Sequence, residues 1–341
     1  MKQGVNNPVE CVQEKFLKLP NVQRFDLRKK MDDGFIAEVE TDDGFEFRLH
    51  ALTMSEVYPS RVLKLVERKK ENQEINVLVA PYVSGRTAEI CEKNGMGYFD
   101  YAGNCWFVGH SIYLSEKGNK NPLPKQYKTD SVFERSAVVS SAVLRELFKD
   151  VNRPWKLKQL SEHVGCSIGL VSKVMAYLKE NAWVESTPEG YIIREPEGLL
   201  KAWSEVYRKK ESSYVSCYSL DAPAIVEDKL RKMKQDTGIE YYLTGFSGGV
   251  RYAPVVRYNK VHVYIAPEDL HEAMEYLEIK EVDSGANVAV LSLENEVYVK
   301  DSRVINGDSV VSPLQAYLDS MTLKGRGEEL AEAILRREIV E

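Results

Sequence analysis

The chain has 341 residues, a formal net charge of −6, 43% hydrophobic residues and 29% charged ones, a length that suits two or three cores rather than one. No apolar run reaches the about 18 residues that a membrane span requires, and Met1 to Val9 lacks the apolar segment that directs secretion, so the chain reads as cytoplasmic, with no membrane association. Five scattered cysteines, Cys11, Cys91, Cys105, Cys166 and Cys217, never form a C-x-x-C pair, which leaves a disulfide scaffold or a zinc ribbon without its ligands.

In the first segment Phe35 to Glu40 alternates apolar and polar residues, Thr41-Asp42-Asp43-Gly44 turns the chain, and Phe45 to Leu49 alternates again, which predicts a β-hairpin. Val62, Leu65 and Val66 share one face of a helix expected over Val57 to Lys70, and the apolar run Ile75 to Ala80 suits a strand buried on both faces. Ser84 is placed to cap a helix to about Glu92, which Gly95 and Gly97 end before Tyr98-Phe99-Asp100. This alternation indicates an α/β domain over residues 1–117. The polar stretch Gly118 to Lys125, broken by Pro122 and Pro124, opens a linker over 118–130.

The central segment, 131–212, differs in charge and in pattern. Residues 1–116 hold 15 Lys/Arg against 18 Asp/Glu, and 213–341 hold 14 against 22, whereas 117–179 hold 12 against 5. One basic block between acidic neighbours is what a polyanion-binding module on scaffolding domains requires. Ala137, Val138, Ala142, Val143, Leu144, Leu147 and Phe148 give a first helix. Leu157, Leu160 and Val164 line one face of a short second helix that Gly165 stops, and Ser167 is placed to cap a third over 168–181, with Leu170, Val171, Val174, Met175 and Leu178 facing inward. Trp183 to Ser186, the turn Thr187-Pro188-Glu189-Gly190, and Tyr191 to Arg194 then read as a strand, turn and strand. Together they predict a winged helix-turn-helix, which lays its helix 168–181 in the major groove of double-stranded DNA.

The expected interface follows from that geometry. Lys156, Lys158, Lys173 and Lys179 are placed to meet phosphates, and Ser167, Ser172 and Tyr177 base edges, with Gly169 on the same exposed face. Glu185 and Glu189 make the wing a weaker contact. A winged helix used for protein contacts stands as a rival, since fold alone does not fix function.

The last segment, 213–341, again mixes strands (Val261 to Ile265, Val288 to Leu293, Glu296 to Val299) with helices (Ala222 to Lys234, Pro267 to Leu277, Gly327 to Arg337), a second α/β domain. No repeat relates it to the first.

Three stretches carry a resemblance: Val79 to Ser84 leading to Gly97-Tyr98-Phe99-Asp100-Tyr101-Ala102-Gly103-Asn104; the winged helix; and Val311-Ser312-Pro313-Leu314-Gln315-Ala316-Tyr317-Leu318-Asp319 followed by Gly325-Arg326-Gly327-Glu328-Glu329. In these the chain resembles the AbiEi-type antitoxin and transcriptional regulator family of type IV toxin–antitoxin systems. The resemblance implies a DNA-binding repressor of its own operon that counteracts a nucleotidyltransferase-like toxin. Members usually carry the winged helix at the N-terminus, whereas here it is central.

The outer segments are similar to two enzyme folds without their chemistry. The first resembles a restriction endonuclease, whose site needs an acid-x-Lys pair to hold Mg²⁺ and orient water. Here the strand offers Glu46-Phe47-Arg48, with Glu38 or Glu40 as the other carboxylate, and a permanently charged guanidinium replaces the lysine. Asp100 and Asn104 are expected to bond the backbone of their own turn. The last segment resembles a minimal nucleotidyltransferase through Thr244-Gly245-Phe246-Ser247-Gly248-Gly249, taken as a turn before a strand, but His262 and Tyr264 stand where metal-binding carboxylates are needed. No catalytic residue, metal or cofactor is therefore expected, and a metal-dependent nuclease or nucleotidyltransferase is the rival enzyme reading. The fold expected is an α/β endonuclease-like domain, a central winged helix-turn-helix and an α/β nucleotidyltransferase-like domain. DNA is expected to be bound as a homodimer.

Overall fold

The computed structural model of the protein describes residues 7–69, 75–109, 111–121, 132–134, 137–208 and 214–340. Residues 122–130 of the expected linker, the 212/213 boundary and His110 lie outside the described residues. The chain separates into two compact units, residues 1–128 with 177–182, and residues 129–176 with 183–341. No helix among the described residues is long and apolar enough to cross a membrane.

The first unit is a mixed sheet covered on both faces. Helix α1 (Pro8–Leu17) starts at Asn7, whose side chain accepts from Val9 N at 3.1 Å, with Pro8 at the first position, where its missing N–H costs nothing. Strands β1 (Val22–Met31), β2 (Gly34–Thr41) and β3 (Glu46–Thr53) form an antiparallel meander, and helix α2 (Pro59–Lys69) leads to β4 (Ile75–Ala80). Helix α3 (Gly85–Lys93) then leads to β5 (Gly97–Asp100), and β6 (Cys105–Gly109) and β7 (Ile112–Glu116) close the sheet as a hairpin. The seven strands lie in sequence order, with β3, β4 and β5 parallel.

Alternation in β4 feeds both layers: Val77 and Val79 pack with Phe16 of α1 and Phe35, Phe47, Phe99 and Phe107, while Leu78 and Ala80 pack with Val62 of α2 and Ile90 and Cys91 of α3. Ser84 accepts from Thr87 N at 3.3 Å and so begins α3. Strand β1 carries no apolar alternation because it is an edge: it buries Val22 and Phe25 and turns Arg24, Arg28, Lys29 and Lys30 outward, charges that discourage pairing with another chain.

The second unit opens with α4 (Val138–Phe148), α5 (Leu157–Val164) and α6 (Ile168–Glu180). A hairpin of β8 (Val184–Ser186) and β9 (Tyr191–Ile193) and helix α7 (Pro196–Arg208) follow. The rest is β10 (Tyr214–Tyr218), α8 (Pro223–Thr237), β11 (Tyr241–Leu243), α9 (Gly245–Tyr252), β12 (Val261–Ile265), α10 (Leu270–Tyr276), β13 (Lys280–Glu281), β14 (Val288–Ser292), β15 (Arg303–Ile305), β16 (Asp308–Val310), α11 (Pro313–Ser320) and α12 (Gly327–Ile334). Their sheet has the order β13-β10-β14-β12-β11-β16-β15, mixed in direction.

Three expectations are corrected here. Glu296 to Val299 is not a strand: Glu296–Tyr298 is a 3₁₀ turn that Asn295 caps by accepting from Val297 N at 3.0 Å. Gly245 to Gly249 are not a turn but open α9. An added Cβ would stand 2.5 Å from Leu243 O at Gly248 and 2.7 Å from Leu330 Cδ2 at Gly249, so the glycines let this helix lie against β11 and α12. The helix from Gly327 stays α-helical to Ile334 and continues as a π turn over Leu335–Ile339.

A buried polar cluster ties α4 and α7 to the sheet and to α11. Arg145 of α4 is 5% exposed. It donates to Ser141 Oγ at 3.2 Å and to Gln315 Oε1. Asp319 accepts from Thr244 Oγ1 at 2.5 Å, Tyr207 OH at 2.8 Å, Gln315 Nε2 at 2.8 Å and Tyr264 OH at 3.2 Å. Burial pulls the Arg145 pKa down, opposed by the nearby Tyr207 and Asp319. In a second cluster, Arg251 reaches Glu227 at 2.7 Å and Asp308 at 2.8 Å.

Candidate nucleic-acid interface

Local chemistry builds the turn between α5 and α6. Gly165 takes the left-handed conformation at φ 74°, ψ 36°, which admits glycine without a Cβ clash, and its N–H and that of Cys166 both donate to Ser161 O, at 2.9 and 3.1 Å. Ser167 then accepts from Leu170 N at 3.3 Å and starts α6. Helix α6 buries Val171, Val174, Met175 and Leu178, while Leu170, expected inward, is only half-buried at the start of that face.

The hairpin is held to this helical pair by its turn. Thr187 N donates to Gly190 O at 2.8 Å, and Trp155 and Tyr191 exchange backbone hydrogen bonds of 2.8 Å each. Gly190, at φ 145°, lies so near that an added Cβ would meet Trp155 C and O at 2.6 Å.

Lys156, Lys158, Ser167, Gly169, Ser172 and Lys173 are all exposed. Lys156 sits at the N-cap of α5 and Lys158 in its first turn, where Lys158 makes only a loose pair with Glu162 at 4.0 Å. Such an exposed pair contributes little and leaves the ammonium available to a phosphate. Lys179 is exposed and Tyr177 half-buried, both on the last turns of α6, in the stretch 177–182 that belongs to the first unit. In the hairpin Arg194 pairs with Glu185 at 2.6 Å, and Glu189 forms no ion pair among the described residues. Arg153 stacks its guanidinium over Trp155, 3.9 Å from the ring centroid.

One exposed residue carries no signal in the sequence. Ile168, first in α6 and assigned to neither face from the sequence, is 51% exposed, four residues before exposed Ser172.

The carboxylates weighed for a nuclease site, and Asp100, are engaged. Glu38 accepts from Arg28 Nε at 2.6 Å and lies 3.6 Å from Arg48 Nε, and the Arg28 hydrogen bond holds its carboxyl below the usual range. Arg24 pairs with Glu40 at 3.0 Å and Glu46 at 3.1 Å. Asp100, 1% exposed, accepts from Asn104 N and Nδ2, each at 2.8 Å, and from Val83 N at 3.1 Å. In the second unit His262 N donates to Ser247 Oγ at 3.1 Å, and burial pulls the imidazole pKa down to about 4. Among the described residues no three His, Cys, Asp or Glu side chains converge in a way that could hold a metal ion.

No curated protein matches the chain. Among solved structures, EndoMS in its apo form is similar over 28% of this chain at 18% identity and a TM-score of 0.18, and the chain spans 45% of that protein's length. Residues 192–340 match the family described as transcriptional regulator, AbiEi antitoxin, type IV TA system. From β9 to the π turn after α12, the chain is therefore similar to the AbiEi antitoxin family of type IV toxin–antitoxin systems, the family that its sequence resembles.

Proposed function

We propose that the protein is a DNA-binding transcriptional regulator of the cytoplasm, an antitoxin-like autorepressor whose α6 reads the major groove of double-stranded DNA. The observation that carries this reading is the exposed, lysine-flanked face over 156–176, built on a tight glycine turn and followed by a hairpin. A second helix presented in this way enters the groove while lysines on either side meet the phosphate rows. In this reading residues 131–212 are a winged helix-turn-helix, and Lys156, Lys158, Lys173 and Lys179 position the protein while Ser167, Gly169, Ser172 and Tyr177 face the bases. Residues 1–117 are a degenerate endonuclease-like domain and 213–341 a nucleotidyltransferase-like domain, both non-catalytic. The site is used twice in a two-fold homodimer, because one recognition helix with a few serine contacts gives little discrimination. The functional partner is a nucleotidyltransferase-like toxin.

Four lysines per protomer predict that the logarithm of affinity falls with the logarithm of salt at a slope of about −3 to −4 per protomer. A gel shift with duplex from immediately upstream of its own coding sequence tests this. The folded double variant Lys158→Glu/Lys173→Glu should lose the shift, and unchanged affinity refutes the reading.

A further inference from the structure

Helix α6 turns one large apolar side chain outward where its neighbours are polar. Ile168 is 51% exposed, one turn before Ser172 and beside Gly169, around which there is open space. The same pair of helices carries available basic charge: Lys156 and Lys173 are exposed and form no ion pair among the described residues, and Lys158 is only loosely paired with Glu162. Exposed lysines at the start of α5 and on α6 complement a polyanion and oppose an apolar protein groove, whose rim would have to pair them.

Ile168 is also the first residue of the helix, and the N-terminal residues of a groove-docked helix are those that reach base edges. Among the groups that the major groove displays, one is apolar, the C5 methyl of thymine; all the others are hydrogen-bond donors and acceptors that an isoleucine would bury without a partner. Resting on the DNA-binding reading above, we infer that Ile168 is a specificity-determining residue that packs on a thymine methyl in the major groove. This gives the helix a base preference that its serines cannot supply, since a hydroxyl accepts either partner of a pair.

The probe is the same upstream duplex, prepared once with thymidine and once with deoxyuridine in both strands, so that only the methyl groups differ. Burying one methyl corresponds to about a fourfold change in affinity. Wild-type protein should therefore bind the uracil duplex at least about fourfold more weakly. Ile168→Ala, which removes an exposed side chain, should bind the thymine duplex more weakly by a similar factor and no longer distinguish the two. Equal wild-type affinity for both duplexes overturns the inference while leaving DNA binding intact. Retention of the full uracil penalty by Ile168→Ala also overturns it, because the methyl is then read elsewhere. Failure of the wild-type protein to bind either duplex overturns the DNA-binding reading and this inference with it.

Discussion

Replacing Arg145 by Met tests whether the buried cluster in the second unit is an electrostatic pair or a set of neutral hydrogen bonds. Methionine keeps the stem that the guanidinium extends from, so packing changes least. The charge leaves behind Gln315 Oε1 without its donor, at about 1–3 kcal/mol for a buried acceptor, and Asp319, 3% exposed, without the nearby cation. Burying a guanidinium is itself costly, and its removal returns part of that cost; Asp319 is a charged neighbour and not a bonded partner of Arg145, so the about 3–5 kcal/mol of a broken buried pair is an upper bound for the loss. Arg145→Met and Asp319→Asn should each destabilise by up to that amount, and the double variant should be more stable than their sum by at least about 1 kcal/mol, because the two share Gln315 and their charges interact. Urea unfolding followed by tryptophan fluorescence suits the site, since the Trp203 ring lies 5.8 Å from the guanidinium. A single variant within about 1 kcal/mol of wild type, or a cycle that adds to within about 0.5 kcal/mol, would refute the pairing.

His262 makes stability depend on pH. Its pKa falls from 6.5 in the unfolded chain to about 4, so the unfolded state takes up a proton that the folded state resists. The contribution is complete above pH 6.5, and about 3 kcal/mol of it is lost as pH falls to 4; His262→Phe should flatten this part of the stability profile, read by denaturant titrations at each pH. Gly248→Ala should cost about 2 kcal/mol or more by overpacking against Leu243 O. Gly169→Ala, in open space, should instead raise stability by about 0.5–1 kcal/mol, and thermal melts separate the two signs. Asp100→Ala strands the N–H groups of Val83 and Asn104 and should lower stability by about 2–4 kcal/mol in calorimetry.

What could be read from the sequence is what local chemistry decides. Gly165 and Ser167 mark the ends of α5 and α6 because a left-handed turn and an N-cap each need particular residue types, and the run Val77 to Ala80 states burial on both faces by itself. Strand β1 was illegible because its partner, not its composition, makes it a strand: charged residues at a sheet edge look like a solvated loop. Helix α9 was hidden by three glycines of low helix propensity, which tertiary packing overrides. Ile168 escaped because helical period leaves it between buried Val171 and exposed Ser172, and only the three-dimensional end of the helix decides that it is exposed. Arginine is rarely buried, so nothing near Arg145 in sequence announces an acceptor on Gln315, 170 positions away.

That separation bears on how the gene can be recombined. The residues that match the antitoxin family begin at 192, so Tyr207, Tyr264, Gln315 and Asp319 travel together whenever that segment is transferred, while Arg145 stays behind. A fusion that grafts 192–340 behind a different upstream domain inherits a buried carboxylate and a carbonyl oxygen facing an empty socket. Such a graft keeps its full stability where the new neighbour brings a donor to Gln315 in the same place, since the four donors to Asp319 travel with the segment. The position of one arginine thereby restricts which chimaeras of this segment evolution or design can assemble without losing stability.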